Sequence, residues 1–293
     1  MNNDLPLLDK VAIITGANQG LGLEIAKAYA TAGASLVICA RNQVLLDEAT
    51  LDLQKLIKSN QRIEAVSCDV SEQFDVKKVV DVAFNKFGAF HVLVNNAGIY
   101  GPKGGIESVS WDDWVRAIEV NVYGSVLMSR QVVPYFKKQG FGKIIQLSGG
   151  GATNPLPNIS AYAVSKAAIV RFAETLAEEL REFGIDVNAI APGALNTRML
   201  EEIIEAGPDK VGKEFYEKSL KQRESGGSSL QHGAALAVFL ASSKSDGITG
   251  KLISAVWDNW SEWPSHLEEL SKSDAYTLRR IAGRDCGFAW GDK

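Results

Sequence analysis

Val11-Ala12-Ile13-Ile14-Thr15-Gly16-Ala17-Asn18-Gln19-Gly20-Leu21-Gly22 is the stretch on which the reading of this chain turns. Its first four residues form a continuous apolar run, as in a parallel strand covered on both faces. The run feeds a glycine-rich turn, and a helical pattern follows. Strand, glycine turn and helix, in that order, are the setting of a dinucleotide-binding turn. Glycines let the main chain approach a pyrophosphate, and the helix N-terminus offers it unpaired N–H groups and positive potential. Gly16, Asn18, Gln19, Gly20, Leu21 and Gly22 are the candidate contacts. The spacing Gly-x-x-x-Gly-x-Gly is one residue longer than Gly-x-Gly-x-x-Gly.

Outward from this stretch, apolar strand-like runs alternate with helical ones. The strands expected are Val11–Thr15, Ser35–Cys39, Ile63–Cys68, His91–Val94, Lys143–Leu147, Asp186–Ile190 and Lys251–Val256. Between them, helices are expected at Leu21–Ala32, Gln43–Lys58, Val76–Phe87, Trp111–Lys138, Tyr162–Phe183 and Leu230–Ala241. Regular β-α alternation with right-handed crossovers makes a doubly wound, Rossmann-like α/β fold. One domain over residues 1–256 is expected, with a seven-stranded parallel sheet and helices on both faces. Residues 198–229 are polar and helix-prone, and read equally as a mobile cover on a site or as a surface hairpin. Residues 257–293 carry Trp257, Trp260, Trp263 and Trp290, four of the six tryptophans. So much aromatic surface calls for packing, on the body or on a neighbouring subunit.

Composition narrows the function. A net charge of -4, with no strongly basic run, gives no reason to expect nucleic acid. The apolar runs are strand-length, so no membrane span is expected. Met1-Asn2-Asn3-Asp4-Leu5-Pro6 does not read as a signal peptide. Cys39, Cys68 and Cys286 are far apart, as are His91, His232 and His266, so no metal site is expected. Unpaired cysteines fit a reducing, cytoplasmic setting.

Chemistry is carried by Tyr162 and Lys166, four residues apart on one helix face. An ammonium beside a phenol favours the phenolate, so Lys166 is expected to lower the Tyr162 pKa. A tuned tyrosine exchanges a proton with a carbonyl or alcohol oxygen. Paired with a nucleotide turn, this points to hydride chemistry. At the end of the second strand stand Cys39-Ala40-Arg41-Asn42, with a cation and no acid. A carboxylate there would suit the ribose 2′-hydroxyl of NAD, whereas a guanidinium can hold a 2′-phosphate. Arg41 therefore favours NADP(H). NAD(H) stays open, because no basic residue at Asn18 or Gln19 reinforces it.

Five motifs in order resemble the short-chain dehydrogenase/reductase family. They are Thr15-Gly16-x-x-x-Gly20-x-Gly22, Asp69-Val70, Asn95-Asn96-Ala97-Gly98, Tyr162-x-x-x-Lys166, and Pro192-Gly193 followed by Thr197. The match runs from about Lys10 to Val256. The resemblance implies an NAD(P)-dependent oxidoreductase acting on a small-molecule alcohol or carbonyl substrate. Asp69 would bind the adenine amino group, with Val70 on the ring. Asn96, Ala97 and Gly98 would flank the adenosine ribose. Lys166 would bind the nicotinamide ribose, and Pro192, Gly193, Leu195 and Thr197 would seat the nicotinamide. Asn121 matches the helix asparagine that holds a water in the proton relay. A homodimer or homotetramer follows from the same resemblance.

The chain departs from the family pattern twice. A serine usually stands thirteen residues before the tyrosine, but that position is Gly149 and Ser148 precedes it. Either a bulge in Gly149-Gly150-Gly151 swings Ser148 into the site, or Ser148 points inward and the substrate oxygen is held otherwise. The usual Val-Asp-Gly-Gly close is also missing, and the tryptophan-rich extension replaces it. This extension is expected to reshape an interface or wall the substrate pocket. Two other functions remain open: a dinucleotide-binding scaffold without efficient chemistry, and an epimerase or dehydratase using the cofactor transiently.

Overall fold

The structure, a computed structural model, describes residues 5–288 and Trp290. Seven strands, β1 (Val11–Thr15), β2 (Ser35–Ala40), β3 (Ile63–Ser67), β4 (Val92–Asn95), β5 (Gly142–Leu147), β6 (Ile185–Ala191) and β7 (Leu252–Ser254), form one sheet. Their order is β3-β2-β1-β4-β5-β6-β7, and every pairing is parallel. Strand alternation divides the core into two layers. Ala12, Ile14, Leu36 and Ile38 face α1 (Gly20–Thr31), α2 (Gln43–Gln54) and α10 (Leu230–Ala241). Ile13, Val37, Leu93 and Ile144 face α3 (Gln73–Phe87), α5 (Gly124–Gln139) and α6 (Ser160–Leu180). Chain order reverses between β1 and β4, so a crevice opens there at the strand ends.

The helix expected over Trp111–Lys138 is in fact three pieces. These are α4 (Trp111–Ile118), a π-helical turn over Glu119–Tyr123, and α5. Such a turn inserts one extra residue and re-aims the side chains within it. The cover segment folds as α7 (Arg198–Ala206), α8 (Pro208–Val211) and α9 (Lys213–Ser225). β7 is shorter than expected.

In its described part, the C-terminal extension lies on the chain's own body. A 3₁₀ turn over Trp260–His266 leads into α11 (Leu267–Ser271). Trp260 lies 5.0 Å from the Phe239 ring, and buried Trp263 lies 4.4 Å from Tyr276. The Tyr276 carbonyl then accepts from Leu252 N (2.8 Å), and Lys251 Nζ donates to the Ser273 and Ala275 carbonyls (3.1 and 2.9 Å). Glu174 accepts from Leu278 N at 2.6 Å. The extension thus covers the outer edge of the sheet. Trp263→Ala should lower unfolding stability by about 3 kcal/mol, the usual effect of deleting a buried aromatic. Urea denaturation checks this, and an unchanged midpoint would contradict the packing role.

Among the described residues no helix is long and apolar enough to cross a membrane, and no cluster of three metal-ligating side chains occurs.

Candidate active site

A cleft of about 960 Å³ opens at the C-terminal ends of the strands. Its walls include Gly16, Asn18, Gln19, Gly20, Leu21, Arg41, Asp69, Val70, Asn96, Ala97 and Gly98. Ser148, Tyr162, Lys166, Pro192, Gly193, Leu195 and Thr197 line it too. Gly22 and Asn121 stand just behind the wall. Residues up to 181 apart in sequence thus meet because parallel strands end on one rim.

The glycine turn is packed to its limit. A Cβ at Gly22 would lie 2.3 Å from the Gly16 carbonyl and 2.4 Å from Asn96 Nδ2. Gly16 itself has φ +64°, a left-handed conformation that suits glycine. Asn96 Nδ2 donates to the Thr15 and Gly16 carbonyls (2.9 and 3.1 Å). Thr15 Oγ1 accepts from Asn96 N and Ala97 N, both at 3.0 Å. The ends of β1 and β4 are thereby laced together, and the first turn of α1 is free of acids. This close-approach cradle beside unpaired helix N–H groups fits a pyrophosphate.

Arg41 is exposed just past the end of β2 and lines the cleft. Asp69 accepts from Ser71 N (3.0 Å) and Ser71 Oγ (2.6 Å), and pairs with Arg116 of α4. Burial pushes the Asp69 pKa up, but the Ser71 hydrogen bonds and the Arg116 and Arg41 charges outweigh it and hold the carboxyl below its usual range.

In the π turn, Asn121 Oδ1 accepts from Ile99 N (2.8 Å). Its Nδ2 donates to the Ile99 carbonyl (2.8 Å) and to Ser165 Oγ (2.9 Å). Lys166 is buried, and its Nζ donates to the Leu147 carbonyl at 2.7 Å. A Cβ on Gly98 would meet both Asn121 Oδ1 (3.3 Å) and Lys166 Nζ (3.6 Å), so the two side chains border one small space.

Tyr162 differs from the electrostatic expectation. Burial pushes its pKa up, and neighbouring Tyr100, 4.6 Å ring to ring, adds to this. Lys166 Nζ stands 5.5 Å from the Tyr162 ring centre and is itself pushed down to about 8 by burial. Desolvation therefore outweighs the ammonium, and the phenol is protonated at neutral pH.

The geometry at the missing serine is also informative. A Cβ built on Gly149 would lie 2.4 Å from Tyr162 Oη, so position 149 faces the tyrosine hydroxyl. Ser148 Oγ is buried and has no hydrogen-bond partner among the described residues. The swing that would bond Ser148 to Tyr162 is not the arrangement adopted.

Sequence reasoning placed Tyr100 on a pocket wall and missed Ser165 and Arg116. Ser165, one residue before Lys166 on α6, was within reach of a search for partners of a buried asparagine. Arg116 carried no signal, because only the placement of α4 against the β3 end brings it to Asp69.

The family model described as short chain dehydrogenase matches residues 10–207. Dehydrogenase/reductase SDR family member 4 of Sus scrofa is 34% identical over 248 residues, covering 85% of this chain and 86% of that protein. An NAD+-bound xylitol dehydrogenase superposes with a TM-score of 0.77 at 26% identity, covering 85% of this chain and 98% of that one. Gluconate 5-dehydrogenase from Burkholderia cenocepacia J2315, in complex with NADP and tartrate, gives 0.75 at 26% identity, covering 86% and 95%. The motifs, the strand order and these likenesses agree: the chain belongs to the short-chain dehydrogenase/reductase family of NAD(P)-dependent oxidoreductases acting on alcohol and carbonyl groups.

Proposed function

We propose that this protein transfers a hydride between NADP(H) and a secondary alcohol or ketone, with Tyr162 as the general acid and base. The observation that carries the reading is the shared cleft, in which the glycine cradle and the Tyr162–Lys166 pair line one space. The turn at Gly16–Gly22 and the N-terminus of α1 hold the pyrophosphate. Asp69 and Val70 receive the adenine, and Asn96, Ala97 and Gly98 flank its ribose. Arg41 pairs with a 2′-phosphate by charge-assisted hydrogen bonds. Pro192, Gly193, Leu195 and Thr197 seat the nicotinamide, which when bound gives the hydride to the carbonyl carbon or takes it back.

In reduction, the carbonyl oxygen sits at Tyr162 Oη and takes up the phenol proton as the carbon gains hydride, leaving an alcohol. Protonated Tyr162 is the form that donates. Lys166 holds ribose hydroxyls and passes the replacement proton, and Asn121 borders that route through the space it shares with Lys166. With glycine at position 149, Tyr162 is the principal hydrogen-bond donor to the substrate oxygen. Ser148 contributes its backbone N–H to the Ile190 carbonyl (2.9 Å), and its Oγ is not bonded to Tyr162.

The reading extends to a homodimer or homotetramer, supported by the exposed apolar side chains Val164 on α6 and Tyr123 beside α5. A cytoplasmic setting is supported by the free cysteines. Residues 1–256 form the catalytic domain, and 257–293 an extension of it.

Titrating NADPH and NADH into wild type and Arg41→Ala tests the cofactor assignment. NADPH is expected to bind at least about tenfold more tightly, a difference of about 1.4 kcal/mol, and to lose that advantage in the variant. Equal binding of the two in wild type would reassign the site to NAD(H). Binding without hydride transfer to any carbonyl would leave a dinucleotide-binding scaffold.

A further inference from the structure

The substrate end of the cleft is lined mainly with carbon. Tyr100, Leu156, Met199 and Phe215 line it and pack with Tyr162 in one apolar cluster. The amide and hydroxyl side chains on the cover wall are already paired within the protein. Gln222 Nε2 donates to the Leu195 carbonyl (3.1 Å) and Asn196 Oδ1 (3.3 Å), and Ser219 Oγ donates to the Phe215 carbonyl (2.8 Å). Arg198 pairs with Glu202 at 3.4 Å. On the opposite side Gly149 and Gly150 present no side-chain bulk, and a Cβ on Gly150 would meet only Leu156, at 3.9 Å.

Trp257 completes this end. It lines the same cleft, yet it is 85% exposed. Its position is fixed by a hydrogen-bonded turn: Asp258 Oδ2 accepts from Ser254 N (2.7 Å), and Ser254 Oγ accepts from Trp257 N (3.1 Å) and Val256 N (3.3 Å). A large indole held out into water at a cleft mouth offers apolar area for a ligand in the cleft to cover, and its flat face suits a ring.

We propose that the cleft takes a bulky, apolar, ring-bearing ketone or its secondary alcohol, stacked on Trp257, with Gly150 leaving open space for the ring on the wall next to Gly149 and the Tyr162 hydroxyl. This substrate class rests on the oxidoreductase reading above. A polyol or hydroxy acid brings several hydroxyl groups that lose water on entry and need partners. Apart from the exposed heads of Arg198 and Lys218, the wall does not supply them. Exposed Lys218 stands at the rim, where it remains solvated.

The test compares 2-decalone, a bicyclic ketone, with fructose, a polyol ketone, under NADPH. It uses wild type and Trp257→Ala, together with fluorescence titration of 2-decalone. The expected kcat/KM favours 2-decalone by at least about tenfold, and Trp257→Ala raises its KM by about tenfold with the Kd for NADPH as reference. A preference for fructose, or a KM for 2-decalone indifferent to Trp257, overturns the substrate class while leaving the oxidoreductase reading intact. If neither ketone is reduced, Trp257-dependent binding of 2-decalone supports the class and locates the failure in hydride transfer. Absence of such binding overturns the class.

Discussion

Tyr162→Phe is expected to lower kcat/KM by about a thousandfold, within the range by which a positioned proton donor accelerates such reactions. The change removes one oxygen and leaves the ring against Tyr100, so the packing at 4.6 Å persists. The effect should be unusually complete here. In a site with a serine beside the tyrosine, a second hydroxyl still polarises the carbonyl after the phenol is lost. Position 149 is glycine, and Ser148 Oγ is not bonded to Tyr162, so no such group remains. NADPH affinity should stay within about threefold of wild type, because a lost transition-state contact appears in kcat/KM and not in cofactor binding. Steady-state kinetics with a fluorescence titration read both quantities. Retention of a tenth of the activity would transfer the proton to another group.

Lys166→Met should have two opposed effects: a fall in kcat of about a hundredfold or more, and a gain in stability of the free protein. The gain follows from burial. Its folded-state pKa is pushed from 10.5 down to about 8, so at pH 7 the fold carries a desolvated ammonium. At about 1.4 kcal/mol per pH unit between the two values, this destabilises the fold by about 3 kcal/mol. Methionine forfeits the hydrogen bond to the Leu147 carbonyl, worth about 1 kcal/mol, leaving a net gain of about 2 kcal/mol. The pH dependence has a definite sign. Below about 8 both states hold the proton and the penalty is constant. Between about 8 and 10.5 the unfolded chain binds more protons than the fold, so wild-type stability rises with pH relative to the variant. Urea denaturation of both proteins at pH 7 and pH 10 checks this, and a difference that is the same at both would contradict it.

Much of the fold was written locally. Val11–Thr15 is buried throughout because β1 lies between two helical layers, and the central strands show the same predominantly apolar pattern. Each strand meets a helix of matching period, and parallel order follows from the long crossovers. The glycine turn was legible for a similar reason. Its requirement is a backbone requirement, seen in Gly22 pressed against the Gly16 carbonyl and Asn96, and only one residue type meets it. The π turn at Glu119–Tyr123 was not legible. Val120, Asn121 and Val122 suit an ordinary helix, and the extra residue is accommodated by Asn121 reaching both polar groups of Ile99, 22 positions away.

The sequence by itself determined the alternation, the glycine cradle and the pairing of Tyr162 with Lys166 on one helix face, because periodicity and short spacings are local properties of the chain. Only the tertiary structure decided the rest. It placed Gly149 and not Ser148 toward the tyrosine hydroxyl, since the direction of a side chain past a strand end depends on the path of the loop that follows. It also set Tyr162 above its ordinary pKa despite the lysine four residues away, since desolvation depends on every element packed around the phenol. The course of the tryptophan-rich extension was likewise fixed by contacts across the whole chain. Lys251, Glu174 and the edge of β7 seat it against the sheet, while the turn at Ser254–Asp258 leaves Trp257 at the mouth of the cleft.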